Sequence, residues 1–97
     1  EDPLICAKRE LSEETGYTAN KYTQIHKLAT TVGFSNEWIY IYLAQDLVKG
    51  KQHTDDDEFI NLVEMPLSEA VDLVNKGEIF DAKSVVAILM AEKLCKQ

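Results

Sequence analysis

Helical spacing governs the start of the chain, where Leu4, Ile5, Lys8 and Leu11 recur with Cys6 and Ala7 as small fillers. Asp2-Pro3 just ahead reads as an N-cap followed by proline at the first helical position, and Gly16 as the closing C-cap. The period then falls to two. After a polar, turn-like stretch at 18–21, Tyr22, Gln24, His26 and Leu28 alternate with Thr23, Ile25, Lys27 and Ala29, which predicts a strand. His26 is read there as a half-exposed strand residue. Gly33-Phe34-Ser35-Asn36 marks a loop within 30–36. The clearest strand is 37–47, with Trp38, Tyr40 and Tyr42 on one side and Ile39, Ile41 and Leu43 on the other. Two apolar faces predict a central strand covered on both sides. Its aromatic row is assigned to core packing against a helix, with stacking on a nucleotide base as the alternative.

Residues 48–58 are polar and end in Asp55-Asp56-Asp57-Glu58, a loop without the alternating acids and central glycine of an EF-hand. Alternation over 59–65 predicts a third strand. Pro66 opens a short helix with the stripe Ala70, Val71, Leu73, Val74, ending at Gly77. Asp81 caps a last helix, whose apolar face holds Val85, Ile88, Leu89 and Leu94. The order helix, three strands, two helices predicts an α/β fold in one domain spanning 1–97, without internal repeat or linker.

Composition narrows the function. Of 97 residues, 45% are apolar and 28% charged, as in ordinary globular proteins, and the net charge is −7. That charge argues against a nucleic-acid partner gripped through its phosphates. It suits phosphorylated substrates only if cations bridge the repulsion. Cys6 and Cys95 lie too far apart to suggest a zinc site or disulfide framework, and both are expected as reduced, mostly buried thiols of a cytoplasmic protein. No apolar run approaches the ~18 residues of a membrane span, so no membrane association is expected. No signal peptide is visible.

The candidate chemistry sits on the first helix. Glu10 and Glu14 share a face at i, i+4, with Glu13 beside Glu10 at i, i+3. Like charges so spaced cost an isolated helix roughly 0.2–0.5 kcal/mol per pair. Taken alone, the three carboxylates read either as a solvated acidic face or as oxygen ligands for a hard cation.

Spacing shifts the balance between those readings. Glu1, seven intervening residues, then Arg9-Glu10-Leu11-x-Glu13-Glu14-x-Gly16-Tyr17 resembles the second half of the Nudix box, with Tyr17 as an aromatic in its last apolar position. Downstream, Gly33-Phe34-x-x-Glu37, Asp55-Asp56-Asp57-Glu58-Phe59 and Phe80-Asp81-Ala82-Lys83-Ser84 are similar to segments of bacterial ADP-ribose pyrophosphatases. Val32 replaces the proline usual in that subfamily, which leaves related nucleoside diphosphate compounds open as substrates.

The resemblance implies a Nudix-type α/β/α sandwich with a mixed sheet, its N-terminal strands absent from this chain. It implies hydrolysis of the pyrophosphate of ADP-ribose, or a related nucleoside diphosphate sugar, to AMP and a sugar phosphate. Mg2+ or Mn2+ would be held by Glu10, Glu13 and Glu14, with Arg9 orienting a carboxylate. Glu13 is placed with Arg9 in catalysis as well, together with an acid from the late loop, Glu58 first and Asp57 second. Without the upstream strands, this chain alone is expected to be inactive and to associate into a homo-oligomer such as a dimer. The alternative class is a non-catalytic Nudix-like module that binds a nucleotide or a protein. A third reading, an acidic α/β interaction domain without metal, is separated from both by divalent-ion binding.

Overall fold

A computed structural model describes residues 1–50 and 62–96. The elements run α1 (Pro3–Thr15), β1 (Tyr17–Ala29), β2 (Trp38–Lys49), α2 (Leu67–Asn75) and α3 (Ala82–Cys95). β1 and β2 pair into a two-stranded sheet. Thr30 N–H donates to the Glu37 carbonyl at one end and Gly50 N–H to the Gly16 carbonyl at the other, the pairing of an antiparallel hairpin. The α/β class expected from the sequence is thereby borne out.

Contacts divide the chain into two units. The first comprises 1–23 and 44–63 and holds α1 with the open end of the hairpin. α1 starts where Asp2 caps it, its Oδ1 accepting from Leu4 N–H at 2.8 Å, with Pro3 in the first turn. It stops at Gly16, whose φ of 76° is left-handed and whose N–H reaches the Ser12 carbonyl. Thr15 braces this end, its hydroxyl donating to the Leu11 carbonyl at 2.6 Å and accepting from Tyr17 N–H at 3.0 Å. The Lys8 amine lies 5.3 Å from the centre of the Tyr22 ring, a cation–π contact between α1 and β1.

The second unit, 24–43 and 64–97, holds the closed end of the hairpin with α2 and α3. α2 and α3 pack on each other. Ala70 and Val71 of α2 and Ala91 of α3 are buried, as is Ile41 of β2. Asp81 caps α3 as expected, its Oδ2 accepting from Ser84 N–H and Ser84 Oγ, both at 3.0 Å. These bonds, with Lys83 beside them, hold the Asp81 carboxyl below its ordinary range.

Four expectations are corrected. Residues 18–21 are not a turn: β1 begins at Tyr17, and Asn20 is tied across the hairpin to Asp46 at 3.1 Å. Leu62–Met65 forms no strand, and Leu62 and Val63 are exposed. The rest of that predicted strand, 59–61, lies outside the described residues. β2 is not covered on both faces, for Ile41 is buried while Trp38 is 52% and Tyr40 37% exposed. In place of helix packing, Lys27 lies between the two rings, 4.6 Å from Trp38 and 5.4 Å from Tyr40. Finally, the thiols are not mostly buried: Cys6 is half-buried and Cys95 exposed, and both are free.

Candidate metal-binding helix

The candidate residues of the first helix occupy its solvent side. Glu1, Arg9, Glu10, Glu13 and Glu14 are all exposed, whereas Leu4, Cys6, Ala7 and Leu11 are half-buried. The acids thus face outward, while the predicted apolar stripe turns inward only in part, for Ile5 is 58% exposed and no residue of the helix is buried.

Arg9 organises the acids. Its Nε and Nη2 donate to the two carboxylate oxygens of Glu1, at 3.2 and 3.0 Å, in a bidentate fork. Nη1 donates to Glu13 one helical turn on, at 3.0 Å. Cys6 Sγ stands 3.7 Å from Nη2. One guanidinium therefore spans the box from its first glutamate, Glu1, to its third, Glu13, and fixes two carboxylates at once. Its hydrogen bonds hold the Glu1 carboxyl below the ordinary range, and the two acids in turn push the Arg9 pKa up. Burial, then the negative charges of Glu10 and Glu1, pushes the Cys6 thiol up from its ordinary range. Pairs this exposed add little to stability. Their consequence is geometric.

Glu10 and Glu14 are left open, with no ion pair or hydrogen bond among the described residues. No group of three or more His, Cys, Asp or Glu side chains converges to hold an ion among those residues, and Glu13 is bonded to Arg9. The donors that remain open are carboxylates only, a chemistry that fits Mg2+ or Mn2+ and not a soft metal. Asp57 and Glu58 lie outside the described residues. Sequence reasoning missed Gly50, which adjoins the helix end. Its N–H bonds the Gly16 carbonyl at 2.8 Å, and a Cβ there would stand 2.9 Å from that oxygen.

A separate cavity of about 560 Å3 lies within the second unit, floored by Leu28, Ile39 and Val86. Glu37 and Asp81 to Lys83 reach it, from two of the segments singled out in the sequence. Their polar groups satisfy each other: Thr30 donates to Glu37 at 2.9 Å, and Lys83 pairs with Asp81 at 3.3 Å.

An acid-bearing box on a capped helix, followed by an antiparallel hairpin and two further helices, defines a Nudix domain. The model of the NUDIX domain family matches residues 1–87, and the chain belongs to that family. Hydrolases of this family generally use divalent metal ions. Among individual relatives, the chain is 43% identical over 90 residues to the ADP-ribose pyrophosphatase of Bacillus subtilis (strain 168), covering 91% of this chain and 49% of that protein. It is 35% identical over 91 residues to the GDP-mannose pyrophosphatase of Cronobacter sakazakii (strain ATCC BAA-894), covering 91% and 48%. A crystal structure of an ADP compounds hydrolase superposes with a TM-score of 0.79 at 31% identity, over 94% of this chain and 49% of that one. The chain spans about half the length of the curated relatives it matches. Among the described residues, no helix is long and apolar enough to cross a membrane.

Proposed function

We propose that the protein carrying this chain is a Nudix pyrophosphohydrolase acting on ADP-ribose or a related nucleoside diphosphate compound, with AMP and a sugar phosphate as products. The observation that carries this reading is the outer face of α1. Arg9 ties Glu1 and Glu13 together, while Glu10 and Glu14 remain open toward solvent. The resemblance of most of the chain to pyrophosphatases of ADP-ribose and GDP-mannose supports the substrate class.

Glu10, Glu13 and Glu14 would hold Mg2+ or Mn2+, whose chemistry at a diphosphate is to offset its charge and to acidify a water molecule. The residues of the chain do the rest. Glu10 and Glu14 present fixed negative charge from a capped helix, which holds a site more closely than a loop does. Arg9 keeps Glu13 in one orientation by gripping it from the helix below. Glu58, with Asp57 second, is assigned as the late acid that takes the proton of the attacking water. The apolar side chains left open on β2, Trp38 and Tyr40, support association of copies into a dimer.

The experiment is a calorimetric Mn2+ titration of the protein and of its Glu14→Gln variant. Binding in the first and at least tenfold weaker binding in the second is expected; equal heats from both remove the site.

A further inference from the structure

We propose that Gly50 is a positioning residue for the metal-binding helix, acting through the backbone of Gly16; this rests on the function proposed above. Glu13 and Glu14 sit three and two residues before Gly16, so the setting of that glycine sets how the helix end that carries them meets the strand that follows. Gly16 is a swivel by chemistry: its φ of 76° is open to glycine and costly to other residues. A swivel has to be held. The Gly16 N–H is fixed within the helix by the Ser12 carbonyl at 2.9 Å. Its carbonyl is fixed from outside the helix by the Gly50 N–H at 2.8 Å. Both the N–H and the carbonyl of this left-handed residue are thereby restrained.

The approach that makes the second bond possible excludes a side chain. A Cβ on Gly50 would stand 2.9 Å from the Gly16 oxygen and 3.9 Å from its carbon. Those are backbone atoms, so neither can rotate aside as a side chain would. Any residue larger than glycine at 50 has to push the strand end or the helix end away, and the helix end carries the acids. The other glycines differ. A Cβ on Gly33 or Gly77 meets nothing within 4 Å, although both have left-handed φ. Substitution there strains the backbone locally and leaves α1 alone. Gly50 is the reverse case, with an ordinary φ and a blocked Cβ.

Misplacement by about 1 Å of groups that hold a reacting centre costs on the order of a hundredfold in rate. Three forms of the full-length protein separate positioning from stability: the parent, Gly50→Ala, and Gly77→Ala as the control for a strained glycine remote in sequence. With Mn2+ as the probe, Gly50→Ala is expected to bind at least tenfold more weakly and to lose tenfold or more in kcat, with KM within threefold. Gly77→Ala is expected to lower Tm with Mn2+ affinity and kcat unchanged. The carboxyl 13C resonances of Glu13 and Glu14, recorded without metal or substrate, should move in Gly50→Ala and stay in Gly77→Ala. Unmoved resonances in Gly50→Ala overturn the proposal. So does Mn2+ affinity equal to that of a Mn2+-binding parent. If the parent binds no Mn2+ and turns over no diphosphate, the functional reading fails, and the resonances alone decide whether Gly50 sets the helix end.

Discussion

Gly16→Ala isolates the physical demand at the end of the metal-binding helix. Gly16 sits at φ 76° and ψ 2°, and its N–H closes the last turn on Ser12. An L-residue in that conformation pays about 1–2 kcal/mol for the approach of Cβ to the backbone. Replacing glycine also removes freedom from the unfolded chain, which returns about 0.4–1 kcal/mol. The balance is a loss of about 1 kcal/mol. For a domain of 60–100 residues that lowers Tm by about 4–8 °C. Asparagine tolerates the left-handed region better than alanine, so Gly16→Asn should lose roughly half as much. Urea unfolding followed by circular dichroism gives both values, with the m-value checking that the unfolded state is unaltered. If alanine and asparagine cost the same, or if alanine costs nothing, the left-handed cap is not what the glycine supplies.

Other predictions follow from single contacts. Val71 is 7% exposed, and Val71→Ala should cost about 2 kcal/mol from two lost methyl groups and the cavity they leave, read in the same unfolding assay. The depressed pKa of Asp81 means its carboxylate favours folding above the ordinary carboxylate range, and that contribution goes as pH falls through the folded value. A pH series of Tm should therefore drop on the acid side, and Asp81→Asn should flatten that drop; equal slopes would refute the cap's role. Neutralising Asp55, Asp56, Asp57 and Glu58 singly in the full-length protein should lower kcat by about 10²–10⁴ for one of them, Glu58 first, by the usual contribution of a general base. Four variants within threefold of the parent would leave that loop without a catalytic part. Light scattering of the purified chain at micromolar concentration should give a dimer or larger species, and a monodisperse monomer contradicts self-association.

Local chemistry was the legible part of the sequence. Asp2, Pro3 and Gly16 bound α1 where their side chains and φ preferences place them, and Asp81 caps α3, because caps act over two or three residues. The Arg9, Glu13 and Glu14 spacing showed which residues share a helix face. It could not show that Arg9 would reach back eight positions to Glu1 while also gripping Glu13 one turn on. Strands were harder, since their existence depends on partners. Thr18 to Lys21 looks like a turn by composition, yet pairing with β2 overrides it. Leu62 to Met65 alternates well, yet no described strand pairs with it. The aromatic row of β2 has the pattern of a core strand, but pattern does not state what lies opposite, and here Lys27 does. Gly50 carried no signal at all, because a close backbone approach leaves no trace in spacing or polarity.

The central claim is that the open acids of α1 belong to a metal-dependent pyrophosphohydrolase. The measurement that tests it most directly is AMP release from ADP-ribose by the full-length protein, with Mg2+ and with chelator, beside the Glu14→Gln variant. AMP should form only with the ion, and the variant should lose at least a hundredfold in kcat while its circular dichroism spectrum is unchanged. AMP formation that persists in chelator, a variant as fast as the parent, or a parent that releases no nucleoside monophosphate from ADP-ribose or any related nucleoside diphosphate compound, would contradict it.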